Sequence, residues 1–148
     1  VLISNIIFAL YLIADIIFKI SVPYWIRILV IIILFIHNFL GYFKDQYTLS
    51  KNFDRVLHVY GTFAFALFLY TILTNLIQPT IYPKFFESLF VLLLGITAGT
   101  IFEIIEYIID KKSPIKTQHG LKDTNVDMIC NMIGSFIASI TFYLIFLI

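Results

Sequence analysis

The sequence predicts an all-α fold: a polytopic transmembrane helical bundle of about five spanning helices, forming a single integral membrane domain over residues 1–148. Three observations predict it. Hydrophobic residues make up 61% of the chain and charged residues only 13%, whereas a soluble domain is about half apolar and about a quarter charged. The mean hydropathy is +0.99. The apolar residues also gather into stretches near the ~20-residue length that crosses a bilayer.

The first stretch covers about 1–20. Its one acid, Asp15, is isolated and lies toward the side opposite most of the others. The chain opens on Val1 rather than Met, which leaves room for one further helix upstream. No basic leader or small-residue cleavage site marks a signal peptide. Ser21-Val22-Pro23 breaks this helix, and Pro23 suits the start of the next one, about 24–43, because its missing N–H costs nothing there.

A polar loop from Lys44 to Phe53 precedes the third stretch, about 54–77. Pro79 and Pro83 lie in the loop before the fourth, about 87–110. The longest and most basic loop, Lys111 to Lys122, contains Pro114, His119 and Gly120 and leads to the fifth stretch, about 125–148. Lone His119 is read as solvated at the mouth of any pocket there. Tyr24, Trp25, Tyr42 and Tyr82 fall at predicted helix ends, as an interfacial aromatic belt requires.

The second and fourth loops hold Lys44, Lys51, Arg55, Lys111, Lys112, Lys116 and Lys122, against Lys19, Arg27 and Lys84 on the other side. The positive-inside bias therefore places the N-terminus and these two loops in the cytoplasm, in a multi-pass cell-membrane protein. Its first partner is the lipid bilayer. A net charge of +1 with no basic patch excludes nucleic acid. The single cysteine, Cys130, reads as a small packing residue.

Acids are expensive in hydrocarbon, so their placement is informative. Asp54-x3-His58-x2-Gly61 opens the third helix, and Asp127-x3-Asn131-x2-Gly134 opens the fifth. The helix between them runs the other way and closes with Glu103-x2-Glu106-x3-Asp110. At about 100° per residue each set forms one stripe. Gly95 and Gly99 extend the middle stripe, and small residues at that spacing let helices approach closely. The polar faces are therefore expected to meet, in a pocket opening to the cytoplasmic face. His37, late in the second helix, is at similar depth and joins Arg55 and Asn131 as a candidate for substrate binding.

So many carboxylates in low dielectric need neutralising, by protons, a divalent cation or a cationic substrate. Asp54, His58, Glu103, Glu106 and Asp127 are the candidates for acid–base catalysis or metal ligation. An imidazole among carboxylates suits Zn or Mn, and carboxylates alone suit Mg. A structural role competes with this. Arg55 would then pair with Glu103 or Glu106, Thr124 and Asp127 would form a weak capping box, and His58 and Asn131 would be interhelical glue. Asp110 and Asp123, taken singly, read as structural.

The order Asp54-Arg55-x2-His58-x2-Gly61, Glu103-x2-Glu106, Gly120-x2-Asp123-Thr124-x2-Asp127-x3-Asn131-x2-Gly134 resembles the YjdF-type bacterial inner-membrane proteins, over roughly 54–138. A looser likeness is to VanZ-like proteins, in which Lys stands where Arg55 is and Gln where Glu106 is. The VanZ likeness implies an envelope context. Neither names a reaction. The functional expectation is a membrane-embedded, metal-dependent enzyme acting on a lipid or lipid-linked envelope precursor. The alternatives are a proton-coupled transporter or carrier and a non-catalytic scaffold.

Overall fold

The computed structural model describes residues 2–77, 82–112, 118 and 120–145. Pro79, Pro114, Lys116 and His119 lie outside them, as does the side chain of Tyr42. The helices are α1 (Leu2–Phe18), α2 (Tyr24–Phe35), α3 (Gln46–Leu49), α4 (Lys51–Ile77), α5 (Lys84–Lys112) and α6 (Leu121–Ile145), with a π-helical segment, Ile36–Phe43, continuing α2. Among the described residues, four spans are long and apolar enough to cross a membrane: Tyr24–Gly41, Asn52–Ile77, Lys84–Lys112 and Leu121–Ile145. The fifth helix, α1, is 17 residues long. That is roughly 25 Å, a little under the ~30 Å hydrocarbon thickness.

Three long helices start earlier than the apolar runs suggested, because polar residues form their first turns. Asp54 lies in the first turn of α4, Glu87 in that of α5 and Asp123 in that of α6. Acids there interact favourably with the helix dipole. The stretch expected as a polar loop from Lys44 to Phe53 is largely helical, comprising α3 and the start of α4. Asp45 precedes α3 in a left-handed conformation, φ 54°, which aspartate tolerates better than most residues.

Helices α4, α5 and α6 pack against one another, with α2 against the outer side of α4. The apolar core lies mainly on that outer side: Ile26, Val30, Ile33 and Leu34 of α2 meet Leu57, Ala64, Leu67 and Phe68 of α4. Tyr11 of α1 closes over Phe68, ring centroids 4.6 Å apart. The α4–α5–α6 interior differs. Thr62, Ser88, Glu103, Asp127, Asn131, Ser135 and Ser139 are all buried there, while Phe85, Ile101, Ile129 and Phe136 face outward. Water as solvent would favour the reverse arrangement. In a bilayer the outside is itself apolar, and polar groups hydrogen-bond between helices.

Asp15 is not isolated. Its carboxylate accepts from Arg27 Nη1 at 2.8 Å and Nη2 at 3.4 Å, and Arg27 also donates to the carbonyls of Val22 and Ile20. This cluster ties α1 to the start of α2. Asn75 of α4 clasps the intervening turn, accepting from Ser21 N–H and donating to its carbonyl, each at 3.2 Å. Replacing Arg27 with Met keeps the stem and orphans a half-buried carboxylate. We expect about 2 kcal/mol of destabilisation, read by thermal unfolding in detergent.

Candidate functional site

Asp54 and His58 stand one turn apart on α4, and Nε2 of His58 is 3.6 Å from Oδ1 of Asp54. Helix α5 runs antiparallel and brings Glu103 to the same imidazole, with Oε1 3.5 Å from Nε2. Helix α6 runs parallel to α4 and delivers Asp127 and, one turn deeper, Asn131. The Asn131 amide oxygen lies 3.0 Å from Nδ1 of His58. An amide oxygen only accepts, so Nδ1 carries the proton and Nε2 is the atom turned to the carboxylates. This is the usual way a partner fixes the orientation of a metal-binding histidine.

One ligand atom each from Asp54, His58 and Asp127 lies within 4.8 Å of the others. Donors around a small divalent ion, at bonds of ~2.1 Å, lie roughly 3–4 Å apart. The difference is about an ångström, within reach of carboxylate rotation. Glu103 approaches the same imidazole from the opposite helix, outside the set of three whose ligand atoms all lie within that distance of one another. Glu106, half-buried one turn nearer the loop, is within electrostatic range of Asp54, Glu103, His58 and Asp127.

Burial sharpens this picture. Glu103 is 5% exposed, Asp127 4% and Asn131 3%. Both oxygens of Glu103, Oδ1 of Asp127 and Nδ2 of Asn131 have no hydrogen-bond partner among the described residues. Such groups ordinarily cost about 1–3 kcal/mol each, more when charged.

Close helix approach sets the geometry. At Gly134 a Cβ would collide with the backbone oxygen of Val59 and the hydroxyl of Thr62. At Gly99 it would fall 2.6 Å from Cγ of Asn131. Gly134 therefore lets α6 reach α4, and Gly99 makes room for the amide that orients His58. Gly61 does not serve this role, contrary to the expectation from its spacing. A Cβ there would sit an ordinary 3.8 Å from Ile33 of α2.

Other candidates are placed differently. His37 lies in the π-helical segment, with Nδ1 2.6 Å from the Tyr47 hydroxyl of α3, in a T-shaped ring contact. The extra residue of a π turn rotates the face that follows it, so depth alone did not locate this side chain. Asp110 is buried and accepts from the Gln118 N–H at 2.8 Å, tying the α5–α6 loop to its helix. Thr124 lies inside α6, its hydroxyl 3.5 Å from the Gly120 carbonyl, so the capping box with Asp127 does not form. Arg55 makes no ion pair with Glu103 or Glu106 among the described residues. Its Nη1 donates to Asn52 at 3.3 Å, and its buried Nε has no partner.

Sequence reasoning passed over one surface. Arg55, Val59, Tyr60 and Phe63 of α4, with Cys130 and Ile137 of α6, line an apolar groove of about 470 Å³ beside the cluster. The signal was present as Cys130 three residues after Asp127 and an apolar stripe at helical spacing after Arg55. Such a stripe is ordinarily lipid-facing and carries no mark of a groove.

The family described as "Predicted membrane protein (DUF2238)" matches residues 2–147. The chain is similar to an uncharacterized protein of Thermotoga maritima, 34% identical over 108 residues, covering 69% of this chain and 53% of the relative. The chain thus spans about half the length of that curated relative. No solved structure matches it.

Proposed function

The chain belongs to the DUF2238 family of predicted membrane proteins, and we propose that it is a membrane-embedded, metal-dependent enzyme acting on a lipid or lipid-linked envelope precursor. One observation carries this proposal. The carboxylates of Glu103 and Asp127, more than nine-tenths buried, keep oxygens without a hydrogen-bond partner beside an imidazole that Asn131 already orients, with Glu103 Oε1 3.5 Å from its Nε2. A fold needing only glue would satisfy those oxygens. A divalent ion would satisfy them all at once, and one nitrogen among several carboxylate donors favours Zn or Mn over Mg.

Asp54, His58, Glu103 and Asp127 would hold the ion. Glu106, nearer the loop and less buried, is placed as acid or base. Bound metal supplies Lewis-acid activation of water or of a substrate oxygen. The face bearing α3 and the α5–α6 loop is read as cytoplasmic from its lysines and arginines. The YjdF-type resemblance of residues 54–138 fits this membership, whereas the VanZ likeness stays one of spacing.

A proton-coupled transporter would need polar groups relaying to the far face. Thr62, Ser135 and Ser139 are buried along that line, but their hydroxyls donate to the carbonyls of His58, Asn131 and Ser88 at 2.7, 2.6 and 2.8 Å. Hydroxyls committed to backbone carbonyls act as packing glue, not relays. Thr97 is exposed on the outer surface.

The test is equilibrium dialysis of the full chain against Zn, Mn and Mg, followed by incubation with a bacterial lipid extract. We expect one ion per chain and a metal-dependent change in lipid composition that Glu103→Gln abolishes. A folded protein that binds no ion removes the proposal. Asn131→Leu, which leaves every carboxylate in place, is expected to weaken metal binding by about 10- to 100-fold, read by the same dialysis.

A further inference from the structure

A second cavity lies at the end of the bundle remote from the acid cluster, where α4 ends and α5 begins. Tyr70 stands roughly 18 Å along α4 from His58. Pro83 leads into α5, its carbonyl accepting from the Phe86 and Glu87 N–H groups at 2.8 and 3.2 Å. Tyr70, Tyr82, Phe86 and Phe90 line a cavity of about 230 Å³, with Glu87 among them. Phe86 and Phe90 are one helical turn apart. Tyr82 packs on Phe86 at 5.4 Å between ring centroids, and Tyr70 packs on Phe90 at 6.3 Å. An edge contact with Phe142 of α6, 4.6 Å, holds the Tyr70 ring in place.

Among the described residues, Glu87 is the only charged group lining this cavity. Its side chain is 18% exposed. The Tyr70 hydroxyl donates to the carboxylate. Nζ of Lys84 lies 3.9 Å from Oε2, beyond hydrogen-bond length, and 6.0 Å from the centroid of Phe142. The chain's own ammonium therefore reaches the rim, beside the carboxylate and over a ring, without lining the cavity.

We propose that this cavity binds a quaternary ammonium group, held by the Glu87 carboxylate and the surrounding aromatic rings. Ring faces attract cations, the more so away from water. The lining also selects the kind of ammonium. A primary ammonium brings three N–H donors, and burying donors without acceptors is costly. The Thr74 hydroxyl, also in the lining, already donates to the carbonyls of Tyr70 and Thr71. A quaternary ammonium has no donor to satisfy, and its methyl groups suit an apolar wall. Lys84 is then the resident competitor for Glu87. The group is carried by a choline-type lipid headgroup or by a free solute. This site does not rest on the metal-enzyme proposal.

The full chain in maltoside detergent is titrated calorimetrically with choline, ethanolamine and neohexanol, the uncharged isostere of choline. We expect choline to bind about 10-fold more tightly than either. Glu87→Gln should remove that advantage, and Phe90→Leu should reduce it about 3- to 30-fold. Lys84→Met, at an exposed position, should raise choline affinity about 2- to 5-fold by removing a weak competing ion pair. Thermal unfolding checks that each variant is folded, and Lys84→Met keeps the test open if Glu87→Gln does not fold. Native mass spectrometry with phosphatidylcholine and phosphatidylglycerol identifies the source. Preferential retention of phosphatidylcholine, lost in Glu87→Gln, assigns a lipid headgroup, and choline binding without it assigns a free solute. Absence of both overturns the proposal. So does equal binding of choline and neohexanol, which reveals an apolar cleft with no cation site, or a fall in choline affinity in folded Lys84→Met.

Discussion

Asp127→Asn is expected to lower the affinity for divalent metal by more than about 100-fold, because loss of a ligand should exceed the 10- to 100-fold cost of disturbing a ligand's support. The same substitution is expected not to harm the metal-free protein. Asp127 is 4% exposed and its Oδ1 has no partner, so in the apo state the side chain burdens the fold. An amide of the same shape removes the charge and offers a donor to neighbouring carboxylates. We expect an apo protein equal to wild type or more stable by about 1 kcal/mol.

The two measurements together distinguish ligand from glue. Metal at 100 times its dissociation constant should stabilise wild type by about 2.7 kcal/mol, and this gain should vanish in the variant. If Asp127 instead served a buried ion pair, removing it would destabilise the apo protein by about 3–5 kcal/mol, and metal would change nothing. Thermal unfolding with and without Zn decides between them.

Gly134→Leu is expected to have the largest effect on the fold. The Cβ of any residue there meets the backbone oxygen of Val59 and the Thr62 hydroxyl. No rotamer change moves a helix backbone, so α6 must shift away from α4. Overpacking of this kind typically costs about 1–3 kcal/mol and occasionally more. The His58–Asn131 bond, 3.0 Å long, spans the same interface, so metal affinity should fall along with stability. Gly61→Ala is the matched control. Its Cβ has ordinary room against Ile33, and alanine is the better helix former by roughly 0.5–1 kcal/mol. It should be neutral or stabilising, with metal binding intact.

Much of the candidate site was legible because a helix converts spacing into a face. Asp54 with His58 and Asp127 with Asn131 each stand four residues apart, and the intervening helix returns with Glu103 and Glu106. The hairpin connectivity then brings the polar ends of the third, fourth and fifth stretches to one level. His37 shows where this reasoning stops. Its place beside the site was expected from its position along the second helix and a uniform 100° rotation, but the π-helical segment changes that rotation, and the imidazole meets Tyr47. Asp15 was misread as isolated because its partner, Arg27, lies across a turn whose path depends on Lys19, φ 50°, and on the clasp from Asn75. Neither leaves a local mark.

By itself, then, the sequence determined that this is a helical membrane protein, where its spans lie, and which acids share a helix face. Those follow from hydropathy summed over ~20 residues and from the α-helical period, both local properties. Only the tertiary structure decided which faces meet. Helix rotation is set by whether a Cβ fits at Gly134 and Gly99, and that turned three stripes into one cluster around His58. It also left Gly61 facing α2 and Arg55 at the head of an apolar groove. Contacts of this kind join residues on different helices, so no window along the chain contains them.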